Sequence, residues 1–318
     1  MSMDHESGFN AVLLFYRSIF IKLHTKLESE YDGVSNELLE RIQAIIDKYT
    51  GANGKISKED LQEVKDDLDA VTFWFSRTYS EWIDRNIAKS IDIAILGHDT
   101  AAQYFIKNFI VEHGEKLGTV PTFQSRVLIQ PQYGGGLNNA IRQSVWNQRW
   151  VEDGLKLSDR IWTTDQTLRN NLHSMIEQCV NDGRSAVEFS RAVEQYLVEP
   201  GPKWTTAIKP AVTDRGSVKY NALRLARTEI NQAYHRSQNL AAMNNPTIRG
   251  LKWNLSRSHP KKDICDTWAT QDIHGLGSGI YRPGETPKDH PNGMCFLTMS
   301  LYQGTELISI LKQKYHVA

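Results

Sequence analysis

From residue 57 to about residue 96 the chain carries apolar side chains at three- and four-residue steps, with no proline or glycine to interrupt them: Leu61, Val64, Leu68, Val71, Phe75, Tyr79, Trp82, Ile83 and Ile87. That period belongs to a helix, and so long an apolar stripe demands cover from other helices. The stretch therefore predicts an extended or packed helical bundle. Ser57 is placed to cap the helix, Glu59 and Asp60 suit its positive end, and Leu96-Gly97 marks its expected stop. Phe73, Trp74, Phe75, Tyr79 and Trp82 could stack nucleic-acid bases, but at helical spacing they read as core or as a seam between helices.

The flanking sequence repeats the pattern. Residues 10–31 carry Leu13, Leu14, Phe15, Ile19, Phe20, Leu23 and Leu27 on a helical period. Asp32-Gly33 reads as a stop, after which Ser35 caps a second helix bearing Leu38, Leu39, Ile42, Ile45 and Ile46. Residues 47–56 put Tyr49 and Gly51 where a calcium loop needs carboxylates, so they read as a helix–helix turn. A helix is expected at 98–115. A looser segment follows at 118–138, broken by Pro121, Pro131 and Gly134-Gly135-Gly136, and no Gly-Lys-Ser/Thr follows to make a phosphate loop. Further helices are expected at 139–150 and 165–181, the latter carrying Leu168, Leu172, Ile176 and Val180. Asp182-Gly183-Arg184 turns the chain, and Ser185 with Glu188 forms a capping box for a helix bearing Phe189, Val193 and Leu197. Pro200, Pro202 and Pro210 mark a linker. A helix is then expected at 218–243, and strands at 249–256 and 294–301.

The expected fold is mainly α, with elongated helical N-terminal and middle regions and a small α+β C-terminal module. Its divisions are an N-terminal helical region (1–117), a middle helical region after a flexible segment (118–198), a linker (199–217) and the C-terminal module (218–318).

Charge and cysteine content narrow the function classes. Net charge is zero over 318 residues, so overall charge implies no partner. Three cysteines do not make a disulfide framework, and an odd count fits a reducing compartment. The first residues lack the basic start of a signal peptide, and no apolar run reaches membrane-spanning length. A cytoplasm, or whatever is assembled there, is the expected location. Charge is nonetheless uneven. Residues 203–262 hold Lys203, Lys209, Arg215, Lys219, Arg224, Arg227, Arg236, Arg249, Lys252, Arg257, Lys261 and Lys262 against only Asp214 and Glu229. Such a block can contact a polyanion such as double-stranded DNA without making the whole chain a non-specific binder; the alternative is a solvated face balanced by acidic helices elsewhere.

The chemistry-bearing residues gather late in the chain. Glu229 shares a helical face with Ala222, Leu225, Ala226, Ile230, Ala233, Ser237 and Leu240, so it points partly inward. A buried carboxylate needs a partner, such as Arg236, or it serves as a general base. No nucleophile or phosphate loop accompanies it, which favours the structural role. Two His-Pro pairs, His259-Pro260 and His290-Pro291, stand near Cys265 and Cys295. These four histidines and cysteines are soft ligands in two close pairs, the kind of set tetrahedral zinc takes, and a structural zinc would staple the long loop between the strands. Asp263, Asp266 and His274 are alternate ligands. The spacings are not those of a zinc finger or ribbon. The competing reading has imidazoles bonded to backbone carbonyls and cysteines packed as small apolar groups.

These elements, in their order, resemble the phage Mu protein F-like family of minor head, or head-morphogenesis, proteins. The matching pieces are Leu157-Ser158 with Arg160-Ile161-Trp162, paired helices with a central Gly183-Arg184-Ser185, Ala226-Arg227-Thr228-Glu229 followed by Ala233, Trp253 in a strand, His259-Pro260 with Asp263-Ile264-Cys265-Asp266, and a closing His290-Pro291-Asn292 with Met294-Cys295. Together they span residues 154–301. Family members often carry two cysteines in the closing motif, and Gly293 stands here in place of the first. The resemblance implies a non-catalytic minor capsid protein of a tailed phage. Such a protein is assembled in the host cytoplasm and taken into the procapsid or virion interior, often through the portal. Its partners would be portal, scaffold or major capsid protein, packaged DNA and its own copies, with no membrane. Two other classes compete: a metal-dependent hydrolase or nuclease using the His/Cys/Asp cluster, and a free DNA-binding protein. No helix-turn-helix or base-reading motif supports the latter.

Overall fold

The computed structural model describes residues 5–113, 139–140, 143–144, 146–147, 154–198, 204–211, 217–257, 259 and 262–315. Outside that set lie the loose segment at 118–138, most of the expected helix at 139–150, Pro200, Pro202, Lys203, Arg215, Pro260 and Lys261. The chain is mainly α with a small antiparallel sheet near its C-terminus. The elements are α1 (His5–Tyr49), α2 (Leu61–His113), α3 (Leu157–Asn181), α4 (Ala186–Val198), α5 (Val218–Asn244), β1 (Ile248–Asn254), α6 (Ile264–Thr270), β2 (Ile280–Tyr281), β3 (Phe296–Leu301) and α7 (Gly304–Tyr315). No helix among the described residues is long and apolar enough to cross a membrane.

The residues form two compact units, each discontinuous in sequence: 1–24 with 86–145 and 228–318, and 25–85 with 146–227. The long helices contribute residues to both.

Two expected helix ends do not occur. Asp32-Gly33 lies inside α1, and Ser35, expected as a cap, is buried within the same helix. The reason is the apolar stripe, which continues through the glycine: Leu27, Tyr31, Leu38 and Ile42 are all fully buried. Tertiary burial of that stripe outweighs the roughly 1 kcal/mol that a helical glycine costs. Gly97 likewise lies inside α2. It is a contact residue: a Cβ there would sit 2.8 Å from Tyr16 Cβ of α1, and one at Gly8 would sit 2.7 Å from Tyr104 Cε1 of α2. Both glycines let α1 and α2 approach closely. Between those helices the chain turns as expected, with Thr50 bridged to Ile56, and the Ser57 hydroxyl accepts from the Asp60 N–H at 3.1 Å.

In the 25–85/146–227 unit, Tyr31 meets Phe75, Tyr79 and Trp82. Three of the five aromatics in that run are thus core, whereas Phe73 is exposed and Trp74 lies under the Arg41 guanidinium. Helix α3 starts at Leu157, eight residues earlier than expected, because the Lys156 N–H donates to the Asp159 carboxylate at 2.9 Å and closes the first turn. The turn at Gly183 and the capping box are as the sequence predicts: the Ser185 N–H donates to Glu188 at 3.0 Å and the Glu188 N–H to Ser185 Oγ at 3.2 Å. Leu168, Leu172, Met175 and Ile176 of α3 bury with Phe189, Val193 and Leu197 of α4.

In the other unit the strand order is β2-β1-β3, with Trp253 opposite Leu297 and Leu251 opposite Met299. Helices α6 and α7 and strand β2 are elements that the sequence reading does not expect, although α6 carries Ile264, Cys265 and Asp266 of the first His-Pro block. β3 is an edge strand, and its outer side is occupied by side chains of α1. The Asn10 amide donates to Met299 O at 2.8 Å and accepts from Met299 N at 2.8 Å, while Glu6 accepts from Leu301 N at 2.9 Å. One turn apart on a helix, Asn10 and Glu6 present the groups a further strand would. Arg17 adds a bond to Met294 O at 3.2 Å and stacks over Phe296.

Candidate metal centre

The centre is built where α5, the start of α6 and the loop before β3 converge. Residues 228–238 of α5 bury Thr228, Glu229, Asn231, Gln232, His235, Ser237 and Gln238. Seven polar side chains on one buried stretch of helix must find partners, and several find them in the loop that closes the module. Thr228 Oγ1 accepts from Asn292 N at 2.9 Å. Asn231 Nδ2 donates to the Asp289 carboxylate at 2.9 Å and to Gly293 O at 3.0 Å. Gln232 reaches Asp289 O at 3.3 Å, and His235 Nε2 meets Cys295 O at 2.9 Å. Burial pulls the His235 pKa down, and Asp289 and the Cys295 carbonyl oppose that pull.

The loop shape follows from its sequence. His290-Pro291-Asn292-Gly293 is a tight turn, closed by Gly293 N to His290 O at 2.9 Å, with Asn292 in the left-handed region at φ 63°. Asparagine tolerates that conformation better than most side chains. Asp289, next to the turn, folds back over Gly293: a Cβ at 293 would lie 2.2 Å from Asp289 Oδ1. Only glycine leaves room for the carboxylate.

At the start of α6, Asp263 and Asp266 form a capping box. The Cys265 N–H donates to Asp263 at 2.7 Å and the Asp263 N–H to Asp266 at 2.8 Å. The box fixes Cys265 pointing inward. His259 Nε2 lies 3.0 Å from Asp266 and 3.7 Å from Asp263. That bond raises the His259 pKa and lowers that of Asp266.

The four residues expected to share a zinc are therefore divided. Cys265, Asp289 and Cys295 bring their ligand atoms within 4.8 Å of one another; so do Asp263, Cys265 and His290; and so do His259, Asp263 and Asp266. Cys265 joins the first two groups and Asp263 the last two, while His259 belongs to the capping box. His274 lies elsewhere, against Glu285 and Tyr281. Asp289 was not a candidate from sequence, although a carboxylate adjoining a candidate ligand was a signal that could have raised it. Asn231 was hidden among the other polar residues of α5.

Both thiols are buried and burial pushes their pKa values up, so neither is an activated nucleophile. What the arrangement can do is hold a cation. Glu229 is buried as expected, while Arg236, its expected partner, directs its guanidinium to Ser144 Oγ. Arg227 pairs with Glu28 at 3.2 Å, and Trp253 sits edge-on between His235 and Trp268.

The basic block is not one free face. Lys219 pairs with Asp32 at 2.6 Å and Glu28 at 3.6 Å, and Arg249 donates to Leu276 O at 3.0 Å. Lys209, Arg224, Lys252, Arg257 and Lys262 are exposed.

No family model, curated protein or solved structure matches the chain.

Proposed function

We propose that the chain is a minor head protein of a tailed phage. It would be taken into the procapsid through portal, scaffold or major capsid contacts, reside inside the head, and act in assembly or DNA packaging and delivery without catalysis. The observation that carries this reading is the order of the motifs over residues 154–301. Their mutual contacts support it: the Thr228 hydroxyl of the alanine-arginine-threonine-glutamate helix takes the Asn292 N–H of the closing motif, and Asn231, on the same helix, holds Asp289 and Gly293. Residues used to join two parts of a module read as structural rather than as a reacting site. Exposed Lys209, Lys252, Arg257 and Lys262 suit contact with packaged DNA.

Mass spectrometry of purified virions and procapsids, with copy counting, tests the proposal. The chain is expected in at least one of them, and its absence from both overturns the reading. DNA affinity should fall steeply with salt if the basic residues meet phosphates, and a flat dependence would remove that role. Metal-dependent plasmid cleavage by the wild-type chain, lost in both Glu229→Ala and His290→Ala, would assign the hydrolase class instead.

A further inference from the structure

We propose that Cys265, Cys295 and Asp289, with His290 as the fourth ligand, bind one zinc ion that ties the start of α6 to β3, and that His259 is not a ligand. The inference rests on side-chain placement and is independent of the phage-head reading.

Three of the four ligand atoms are already assembled, within 4.8 Å of one another. A tetrahedral zinc, with Zn–S near 2.3 Å and Zn–N or Zn–O near 2.0–2.1 Å, separates its ligand atoms by roughly 3.3–3.8 Å. Small inward movements of side chains close the set. His290 stands beside it, with Nε2 3.9 Å from Asp289 Oδ1 and 3.2 Å from Asp263 Oδ2. Its other nitrogen, Nδ1, lies 3.1 Å from Pro291 O. Without the metal, Nε2 faces the Asp263 carboxylate; on zinc binding the proton would sit on Nδ1, donated to the Pro291 carbonyl, and the Nε2 lone pair would turn to the metal, the arrangement that orients ligating histidines.

Charge points the same way. The Asp289 side chain is 1% exposed, yet its hydrogen bonds come from an amide, a backbone N–H and a thiol: Asn231 Nδ2, His290 N and Cys265 Sγ. A buried carboxylate next to two buried thiols is a costly grouping unless a cation joins it. Two sulfurs, one imidazole and one carboxylate select zinc over the hard cations calcium and magnesium. On binding, each thiol gives its proton to solvent and becomes a thiolate. The carboxylate is held by Asn231 and the imidazole by a backbone carbonyl, so two ligands arrive with their supporting bonds in place.

The test uses the full chain, expressed with added zinc and purified without chelator. Elemental analysis should find about one zinc per chain. Cobalt(II) in its place should give thiolate-to-metal charge transfer and the intense visible bands of a tetrahedral site. Cys295→Ser and Asp289→Asn should lose most of the metal and the cobalt signature, and His259→Ala should keep both. Should the variants fail to fold, the wild type supplies a second measurement: a strong chelator should release the zinc and expose two further thiols to a thiol reagent. The proposal is overturned by a wild-type stoichiometry near zero, by a Cys265–Cys295 disulfide in the purified chain, by full retention of zinc in Asp289→Asn, or by its loss in His259→Ala.

Discussion

Helices α3 and α4 and the 228–238 segment of α5 are buried to similar depth by opposite chemistry. The first pair hides Leu168, Leu172, Met175, Ile176, Phe189, Val193 and Leu197, and among them lie only scattered polar side chains: Asn171 donates to the Tyr196 hydroxyl, and Gln195 accepts from Thr205 N at 3.2 Å. The α5 segment hides seven polar side chains, several of them tied to a loop some 60 residues later in the chain. Apolar packing accepts any side chains of suitable shape and fixes which faces meet. A polar network accepts only the groups that complete it, and so fixes the path of the loop it binds. The α3–α4 pair is a scaffold, whereas α5 is a template on which the Asp289–Cys295 loop is shaped.

The largest effect should come from Gly293→Ala. Its methyl group would overlap the Asp289 carboxylate, which would have to leave Asn231 while remaining buried. Losing a hydrogen bond to a buried charge costs about 1.5–3 kcal/mol and the overlap adds about 1–3 kcal/mol, and the midpoint of urea unfolding should fall accordingly. A loss below about 0.5 kcal/mol, the ordinary range for a surface change, would mean that the carboxylate is not confined as described.

Volume-conserving substitutions separate the two chemistries more directly. Leu172→Met in α3 should cost less than about 1.5 kcal/mol. Asn231→Leu in α5 keeps nearly the same size but removes the donor to Asp289 and Gly293 O, and should cost about 2–3 kcal/mol. Equal losses in parallel denaturation curves would erase the distinction.

Buried imidazoles give a pH version of the contrast. His235 bonds to the loop that α5 shapes, and His98 of α2 is fully buried edge-on to Phe9. Burial holds its pKa down to about 3 from the usual 6.5. The unfolded chain therefore takes up this proton at higher pH than the native state, and stability falls as pH drops from about 6.5 toward 3. Between pH 7 and pH 5 the wild type should lose about 2 kcal/mol more than His98→Gln. Parallel pH–stability curves for the two would remove His98 as the source.

How much of this was legible depends on whether a feature is local. The Ser185–Glu188 capping box, the α3–α4 apolar faces, helix α5 and the two longer strands each follow from a few neighbouring residues, and the sequence shows them. The separation of His259 from Cys265 and Cys295 does not. Sequence places His259 six residues before Cys265, but the Asp263–Asp266 box takes the imidazole for itself. Asp289 enters the centre only because Gly293 and Asn231, the latter 58 residues earlier in the chain, leave it a place. The occupation of the β3 edge by Glu6 and Asn10 spans almost the whole chain, and no local pattern announces it. Glycine was the most misleading signal, since Gly33 and Gly97 have the look of helix stops.

Gly33 therefore supplies the smallest and most discriminating test. It is exposed within α1, and an added Cβ would meet nothing within 4 Å. If the helix runs unbroken from His5 to Tyr49, Gly33→Ala removes backbone freedom from the unfolded chain and adds no clash. It should stabilise by up to about 1 kcal/mol. If the chain stops and restarts at Asp32-Gly33, as local sequence suggests, the same change should be neutral or destabilising. Gly97→Ala provides the contrast, because its methyl group would press against Tyr16 and should cost about 1–3 kcal/mol. Opposite signs at two glycines inside long helices would show that one is tolerated by the stripe that carries α1 past it, and the other is required by the packing of α1 on α2.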